Sequence, residues 1–275
     1  MAEYLSDSRK RVTTLELLKM KREGRKIVMI TAYDALYGAL VDAAGVDVVL
    51  VGDSVAPVLG GTETTIPATV DQMIYHGRIV RRGVKHALVV VDLPFLSYQV
   101  SIPDAIQNAG RILKETGASA VKLEGGSYWA PTVAALVNAG IPVMGHLGFT
   151  PQSVHQLGGF RIQGKQPDAA TRLVDDARAL EQAGAFSMVL ELMPGSVGAA
   201  ITKAVSIPTI GIGAGADCDG QVLVLHDMLG LNEGFTPKFL KRYAEMGQAT
   251  RDAVGRFATE VREGHYPGPD HTHNG

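Results

Sequence analysis

Short runs of apolar residues recur along the chain with longer segments between them. Several of these runs are apolar at consecutive positions and do not alternate with polar residues, which is typical of strands covered on both faces. The runs predict eight strands, at Ile27–Thr31, Val48–Val51, Leu88–Val91, Ala120–Leu123, Pro142–Gly145, Ser187–Leu190, Thr209–Gly213 and Gln221–Leu225. Strands of this kind favour a parallel sheet with helices packed on it.

The segments between the runs carry apolar residues with the period of a helix. The clearest predicted helices are Val70–Arg82, Pro103–Thr116, Val133–Ala139, Ala169–Ala183 and Gly195–Val205. Ser101 and Asp168 stand just ahead of two of them, where N-caps belong. Gly117, Gly140 and Gly184 follow three of them, where glycine commonly ends a helix.

The alternation of strand and helix, repeated eight times without a linker, predicts an α/β protein with one (β/α)8 TIM barrel over residues 1–264. An extra helix, Val12–Arg22, precedes the first strand and could plug one end of the barrel. A long amphipathic helix is predicted at Thr236–Glu263, with more apolar positions than one barrel needs. It either packs on its own barrel or forms a subunit contact. The polar residues 265–275 are predicted to be a disordered tail.

Composition and charge narrow the classes of partner. Of the 275 residues, 46% are hydrophobic and 20% are charged, which fits a protein with a sizeable core. A formal net charge of −2 gives no electrostatic reason to expect nucleic acid or a membrane surface. The single cysteine, Cys218, excludes an internal disulfide, and the first residues lack the apolar stretch of a secretory signal. A cytoplasmic protein is expected.

Acidic residues end four of the predicted strands: Asp53, Asp92, Glu124 and Glu191. In a barrel of this kind, the carboxyl ends of the strands build the active site. Alternation along the strand places Lys122 on the same face as Glu124, so both are predicted to point inwards. One such acid could simply cap the following helix, but several converging carboxylates repel each other. Because Lys122 alone cannot balance them, either some are protonated or a cation lies among them.

Ligand chemistry favours Mg²⁺ or Mn²⁺ as that cation. Asp53, Asp92 and Glu124 lie on consecutive strands and offer only hard oxygen donors, without a Cys/His set of zinc spacing. Two or three carboxylates leave positions on the ion for a bidentate ligand such as a 2-oxo acid. Glu191 is expected two strands beyond His146, across the barrel mouth, where it suits a general base. Its alternative role is to orient other groups.

An ordered set of motifs covers most of the chain. They are TAYD (Thr31–Asp34), LVGDS (Leu50–Ser54), VDLPF (Val91–Phe95), VKLEGG (Val121–Gly126), GHLGFTPQS (Gly145–Ser153), GGFRIQGK (Gly158–Lys165), LELMP (Leu190–Pro194) and PTIGIGAGADCDGQVLV (Pro208–Val224). Any one motif is weak, whereas the ordered set is highly specific. It resembles the ketopantoate hydroxymethyltransferase family of the phosphoenolpyruvate-mutase-like barrels.

The resemblance implies hydroxymethyl transfer from 5,10-methylenetetrahydrofolate to 3-methyl-2-oxobutanoate through an enolate held by Mg²⁺. The product would be 2-dehydropantoate, on the route to pantothenate and coenzyme A. The family's roles fall on metal ligands Asp53, Asp92 and Glu124, on substrate contacts Asp53, Ser54, Asp92 and Lys122, and on the proton acceptor Glu191. The resemblance also implies a homo-oligomer, commonly a decamer.

Several further features allow two interpretations. His146 faces the mouth and is either a proton shuttle or a hydrogen-bonded structural residue. Tyr33 and Asp34 either support the site or cap the helix that follows. The run Gly211–Gly215 fits a phosphate loop or a tight turn, and the turn is favoured because neither expected substrate needs a phosphate there. Cys218 lies between two aspartates that would raise the pKa of its thiol, so it is not expected to be a nucleophile.

The residues themselves leave two other functions open. The first keeps the barrel and the metal but makes the protein a 2-oxo-acid lyase or mutase of the same superfamily. Such lyases often use a catalytic cysteine on a mobile loop, and none is suitably placed in this sequence. The second is a non-catalytic oligomeric scaffold, which would have no use for inward-facing acids.

Overall fold

The computed structural model describes residues 9–273, and a closed barrel of parallel strands lies at its centre. The strands follow one another around the barrel in sequence order, and the eighth pairs with the first. They are β1 (Ile27–Thr31), β2 (Val48–Val51), β3 (Leu88–Asp92), β4 (Ala120–Lys122), β5 (Val143–Gly148), β6 (Ser187–Glu191), β7 (Thr209–Ile212) and β8 (Gly220–Leu223). The predicted (β/α)8 fold is thereby confirmed.

Helices connect and flank the strands. In the described residues they are α1 (Thr14–Arg22), α2 (Ala35–Ala43), α3 (Val55–Gly60), α4 (Val70–Gly83), α5 (Ile102–Thr116), α6 (Ala130–Asn138), α7 (Val154–Leu157), α8 (Pro167–Gln182), α9 (Gly195–Ala204), α10 (Leu225–Met228) and α11 (Met246–Arg262). Short 3-10 turns lie at Ser127–Trp129, Pro151–Ser153 and Pro269–His271. None of these helices has the length and apolar character needed to cross a membrane.

The barrel interior is filled by apolar side chains from its strands and from α1. Leu17 and Met20 of α1 join the same core cluster as strand residues such as Met29, Val90 and Ile210. The helix predicted as Val12–Arg22 begins at Thr14, because the Thr13 side chain caps it by accepting the Glu16 backbone N–H. A helix ahead of the first strand therefore helps to fill the core, as the sequence predicted.

The helix caps match the sequence predictions with one exception. Ser101 caps α5 by accepting the Asp104 N–H, and Gly117 ends that helix in the left-handed conformation. Asp168 was expected to cap α8, but Gln166 occupies the N-cap position and Asp168 lies in the first turn. The reason is Pro167, whose fixed φ angle and missing N–H suit the first helical position.

The expected strand–helix alternation fails between β7 and β8. Residues 213–219, all of them described, form turns and contain no helix. Gly213 and Gly215 adopt φ angles of 66° and 90°, which favour glycine. The GIGAG run therefore forms a strand end followed by a tight turn.

The chain separates into two compact units, the first ending at Leu223 and the second starting at Val224. Within the second unit, the helix predicted from Thr236 begins only at Met246. The backbone N–H groups of Tyr243 and Met246 donate to the carbonyls of Met228 and Leu229. These hydrogen bonds tie the segment before α11 to the end of α10, and it does not form a helix.

Each residue of α11 is at least partly exposed. The described part of the predicted tail contains the 3-10 turn Pro269–His271, whereas residues 274 and 275 lie outside the described residues. The division into a catalytic domain over residues 1–264 and a tail over residues 265–275 stays a prediction.

Candidate active site

Five ionisable side chains meet at the carboxyl ends of β2 to β5. They are Asp53, Asp92, Lys122, Glu124 and His146, and each is only 3% exposed. The Lys122 ammonium lies 3.0 Å from Asp92 Oδ1 and 3.2 Å from His146 Nδ1. The other close contact of that imidazole nitrogen is Glu124 Oε1, at 3.5 Å. Lys122 and Glu124 therefore both point into the barrel, as strand alternation predicted.

Asp53 joins this cluster through its backbone and its carboxylate. The Asp53 N–H donates to Asp92 Oδ2 at 3.0 Å, and Asp53 Oδ2 accepts a hydrogen bond from Gln152 Nε2 at 2.9 Å. The preceding residue has to be glycine, because a Cβ at Gly52 would lie 2.6 Å from Ser54 Oγ. The LVGDS motif thus allows β2 to end close to Asp92.

Ser54 and Tyr33 form a pair beside the cluster. The Tyr33 hydroxyl lies 2.8 Å from Ser54 Oγ, and the Tyr33 carbonyl lies 2.7 Å from His76 Nδ1. Tyr33 is fully buried and fixes the position of the serine hydroxyl, which agrees with a supporting role. Its neighbour Asp34 instead caps α2, accepting the Tyr37 N–H at 2.8 Å.

Glu191 lies on the strand next to His146, and not two strands beyond it as expected. The reason is that β5 and β6 are hydrogen-bonded neighbours, in which His146 lies opposite Val189, two positions before Glu191. Glu191 Oε2 lies 3.2 Å from His146 Nε2, and its side chain is 14% exposed. The structure therefore brings Glu191 to the edge of the buried cluster, with access to solvent.

Two further buried residues belong to this site, Gln152 and Tyr98, and neither was predicted from the sequence. Gln152 donates hydrogen bonds to Asp53 Oδ2 and, from its backbone N–H, to Glu124 Oε2. The Tyr98 hydroxyl accepts the Glu124 N–H at 3.2 Å and lies 2.9 Å from the Glu124 carbonyl oxygen. Gln152 falls inside the GHLGFTPQS motif, which was the one feature that could have drawn attention to it.

Burial and mutual repulsion dominate the ionisation of the aspartates. Burial raises the pKa of Asp53 well above its ordinary value, and the charges of Asp92 and Glu124 raise it further. Burial also raises the pKa of Asp92, although the Lys122 ammonium offsets part of this effect. Asp53 thus lacks a cation of its own among the described side chains.

The remaining groups of the cluster favour their charged forms. Burial alone would raise the pKa of Glu124, but His146 and Lys122 together lower it below its ordinary value. Burial and Lys122 lower the pKa of His146, yet Glu124 and Glu191 outweigh them and raise it to about 9. Burial also opposes the charge of Lys122, and the three carboxylates around it raise its pKa. The carboxylates around His146 and Lys122 therefore favour positive charge on each of these side chains.

The donor set suits a hard divalent cation. Each of the three acids has one oxygen held by an N–H group: Asp53 Oδ2, Asp92 Oδ2 and Glu124 Oε2. The second oxygen of Asp92 is buried, pairs with Lys122 and accepts no well-directed hydrogen bond. Carboxylate oxygens are the ligands that Mg²⁺ and Mn²⁺ prefer. The residues therefore fit such an ion in chemistry.

The spacing of these carboxylates is wider than a bound ion requires. Within residues 9–273, no three side chains of His, Cys, Asp or Glu converge closely enough to hold a metal ion. Repulsion among unneutralised carboxylates is expected to keep them apart. An ion at this site would have to draw the acids together.

Cys218 plays no part in this cluster. Its side chain is fully buried near the β7–β8 loop, where the Ala214 carbonyl oxygen lies 3.9 Å from the sulfur. Burial raises the pKa of its thiol, and Asp219 raises it further. A thiol with these properties is a poor nucleophile, as the sequence predicted.

Comparisons with known proteins identify the family. A family model described as ketopantoate hydroxymethyltransferase matches residues 11–269. The chain is 53% identical to the 3-methyl-2-oxobutanoate hydroxymethyltransferase of Pelobacter propionicus, covering 98% of this chain and 100% of that protein. It is 55% identical to the enzyme of the same name from Moorella thermoacetica, covering 96% of this chain and 98% of that protein.

Solved structures show the same fold at much lower sequence identity. Phosphonopyruvate hydrolase in complex with oxalate and Mg²⁺ is 13% identical, with a TM-score of 0.60 over 94% of this chain and 93% of that chain. The 2,3-dimethylmalate lyase, a PEP mutase/isocitrate lyase superfamily member, is 15% identical, with a TM-score of 0.59 over 95% and 91%. At this identity, the likeness to these two proteins shows the fold alone. The family match and the high identity to named transferases show that the chain belongs to the ketopantoate hydroxymethyltransferase family.

Proposed function

We propose that this protein transfers a hydroxymethyl group from 5,10-methylenetetrahydrofolate to 3-methyl-2-oxobutanoate and so forms 2-dehydropantoate for pantothenate and coenzyme A synthesis. Family membership supports the reaction. The observation that carries the proposal is the buried cluster of Asp53, Asp92, Glu124 and Lys122, with Glu191 at its edge. This arrangement combines a cation-binding set of oxygens with a base that solvent and substrate can reach.

Substrate binding is assigned to the residues on β2, β3 and β4. Lys122 and Ser54 supply a cation and a hydroxyl donor, which suit the carboxylate of a 2-oxo acid. The Tyr33 hydroxyl holds the Ser54 side chain in place. Asp53, Asp92 and Glu124 would hold Mg²⁺, or Mn²⁺, which when bound would offset negative charge that develops on the keto oxygen.

Proton transfer is assigned to Glu191. Its carboxylate would take the proton from C3 of the substrate, leaving an electron pair shared between C3 and the keto oxygen. C3 then bonds to the one-carbon unit, whose two C–N bonds to the folate break, and water supplies the hydroxyl oxygen. The proton held by Glu191 and one proton of the water pass to the two folate nitrogens, so that tetrahydrofolate leaves. The contact between His146 Nε2 and Glu191 Oε2 restrains the base during this step.

The proposal also covers the oligomeric state of the protein and its cellular compartment. We infer a homo-oligomer, the decamer that the family resemblance implies. The apolar side chains of Val254, Phe257 and Val261 on α11, which are 59%, 53% and 47% exposed, support a subunit contact. Sedimentation analysis would measure the assembly, and a monomer would contradict this inference. The single cysteine supports a reducing compartment such as the cytoplasm.

Exchange of the C3 proton in D₂O tests the function without any folate. The protein is incubated with 3-methyl-2-oxobutanoate and Mg²⁺, and loss of the C3 proton signal is followed by NMR. We expect exchange that requires the metal. Glu191→Gln should abolish the exchange while Mg²⁺ binding, measured by calorimetry, persists, because the variant removes the base and leaves the proposed ligands intact.

Each arm of the test can fail separately. Exchange that runs equally fast in the presence of a chelator would contradict the role of the metal. Full exchange in Glu191→Gln would require a different base, with His146 the next candidate because it touches Glu191. Exchange without product when methylenetetrahydrofolate is added would contradict the transferase assignment.

A further inference from the structure

Gln152 has a side-chain amide whose orientation is fixed by hydrogen bonds on both sides. Its Nε2 donates to Asp53 Oδ2 and to the Leu93 carbonyl, both at 2.9 Å. Its Oε1 lies 3.1 Å from the Tyr98 hydroxyl and 3.2 Å from Gln99 Nε2. Exchanging the oxygen and nitrogen of the amide would place its oxygen against two acceptors, Asp53 Oδ2 and the Leu93 carbonyl, and its nitrogen against the Gln99 amide nitrogen. The N–H groups of Gln152 therefore have to face Asp53.

The backbone of Gln152 reaches a second acid of the cluster. Its N–H donates to Glu124 Oε2 at 3.0 Å, so one residue holds one oxygen of Asp53 and one oxygen of Glu124. These acids stand at the ends of β2 and β4, whereas Gln152 lies in the 3-10 turn that follows β5. The residue is 5% exposed, which shields these hydrogen bonds from water.

A neutral donor has a particular advantage in this place. Hydrogen bonds to a carboxylate stabilise its charged form, but an amide adds no positive charge that would repel an incoming cation. By contrast, the ammonium of Lys122, paired with Asp92, competes with such a cation for the same oxygen. Donors that orient ligating groups commonly change metal affinity by about 10- to 100-fold when they are removed.

We propose that Gln152 is a positioning residue for the divalent cation, which it serves by holding Asp53 and Glu124 through one oxygen each. The second oxygen of Asp53 is then left to the ion, whereas Glu124 Oε1 also contacts His146 Nδ1 at 3.5 Å. This inference rests on the proposed function, because it assumes that the two acids bind a metal. It adds a residue from the loop after β5 to the three strand ends that supply the ligands.

Metal binding by the full-length protein without substrates tests this role. Mn²⁺ binding is measured by electron paramagnetic resonance and Mg²⁺ binding by calorimetry for the wild type, Gln152→Met and Gln152→Asn. Methionine keeps the length of the side chain without its donors, and asparagine keeps the amide but withdraws it from Asp53. We expect both variants to bind each ion at least about tenfold more weakly.

Gln163→Met is the matched control. The Gln163 side chain donates to the Arg161 carbonyl and to no other residue among those described, in another loop after β5. The affinity of this variant for both ions should therefore stay within about twofold of the wild type. Circular dichroism without metal reports folding of every variant. A role confined to packing would lower the melting temperature and leave the metal affinity of the folded protein unchanged.

The outcomes separate this inference from the proposed function. A folded Gln152 variant that binds Mn²⁺ as tightly as the wild type would overturn the positioning role alone. Failure of both variants to fold would also overturn it, since Gln152 would then serve the fold and not the ligands. A wild-type protein that binds neither ion would contradict the metal-dependent function itself.

Discussion

His146 Nε2 lies 3.2 Å from Glu191 Oε2, across two neighbouring strands of the barrel. The opposite nitrogen of the same ring lies 3.5 Å from Glu124 Oε1. The imidazole thus connects the proposed base to a proposed metal ligand. The ring is buried between the two carboxylates and contacts both of them.

This relationship predicts that His146→Asn slows proton exchange more than it weakens metal binding. Asparagine is too short to keep both contacts, so Glu191 would lose its contact with the imidazole. We expect the exchange rate of the C3 proton to fall about 10- to 100-fold. His155→Asn, a change at an exposed histidine of α7, serves as the control and should exchange at the wild-type rate. Unaltered exchange in His146→Asn would leave His146 a structural residue.

Asp92→Asn distinguishes an enzyme from a scaffold. Burial raises the pKa of the Asp92 carboxyl, and the Lys122 ammonium that loses this partner still has the charges of Glu124 and Asp53 nearby, so the fold should tolerate asparagine. We expect the variant to fold and assemble but to lose Mg²⁺ binding. It should also exchange the C3 proton at least about 100-fold more slowly than the wild type. A scaffold would show no exchange in the wild type and no functional loss in the variant. Calorimetry, sedimentation and NMR provide the three measurements.

Gly148→Ala tests how closely β5 and β6 approach beside the base. A Cβ at Gly148 would lie 2.1 Å from the Glu191 carbonyl oxygen, and its φ angle of 94° already disfavours alanine. We expect a loss of roughly 2 kcal/mol in the free energy of unfolding and slower exchange, because Glu191 must move. Gly110→Ala in α5 is the control, since no atom lies within 4 Å of its Cβ position. Equal stability of the two variants in urea would contradict this prediction.

Asp42 stabilises the fold far from the proposed chemistry. Its carboxylate accepts backbone N–H groups of Lys85, His86 and Ala87 at 3.0, 3.1 and 2.8 Å, just ahead of β3. The substitution Asp42→Asn removes the charge and one of the two acceptor oxygens at this buried position. We therefore expect the free energy of unfolding, measured in urea, to fall by about 2 kcal/mol. At a low temperature, where the variant stays folded, Asp42→Asn should exchange the C3 proton of the substrate at the wild-type rate.

Asp34→Asn is the matched control for Asp42→Asn. Asp34 caps α2 through a single N–H, and asparagine caps helices about as well as aspartate. The stability of this variant should therefore stay within about 0.5 kcal/mol of the wild type. If Asp34→Asn lowered the free energy of unfolding as much as Asp42→Asn, the number of backbone N–H groups bound by each carboxylate would not explain its contribution to stability.

Strand positions and the acids at their ends followed from local patterns. β1 and β2 have the predicted bounds, and Asp53, Asp92 and Glu124 come from consecutive strands as predicted. The pattern succeeds here because a strand covered on both faces needs an unbroken apolar run, and its carboxyl end then faces the barrel mouth. It failed for the helix expected from Thr236, where periodicity continued through residues that hydrogen-bond to α10 instead.

The one-dimensional pattern was enough to specify an eight-stranded barrel and the chemical type of its site, since apolar runs and strand-end acids depend on each residue's own neighbours. Folding in three dimensions settled that His146 touches Glu191, and that Gln152 holds an aspartate 99 positions away. Such contacts depend on how far β5 extends and on where the turn after it returns to the barrel. Hydrophobic periodicity carries no information about which distant polar atoms will meet once water is excluded.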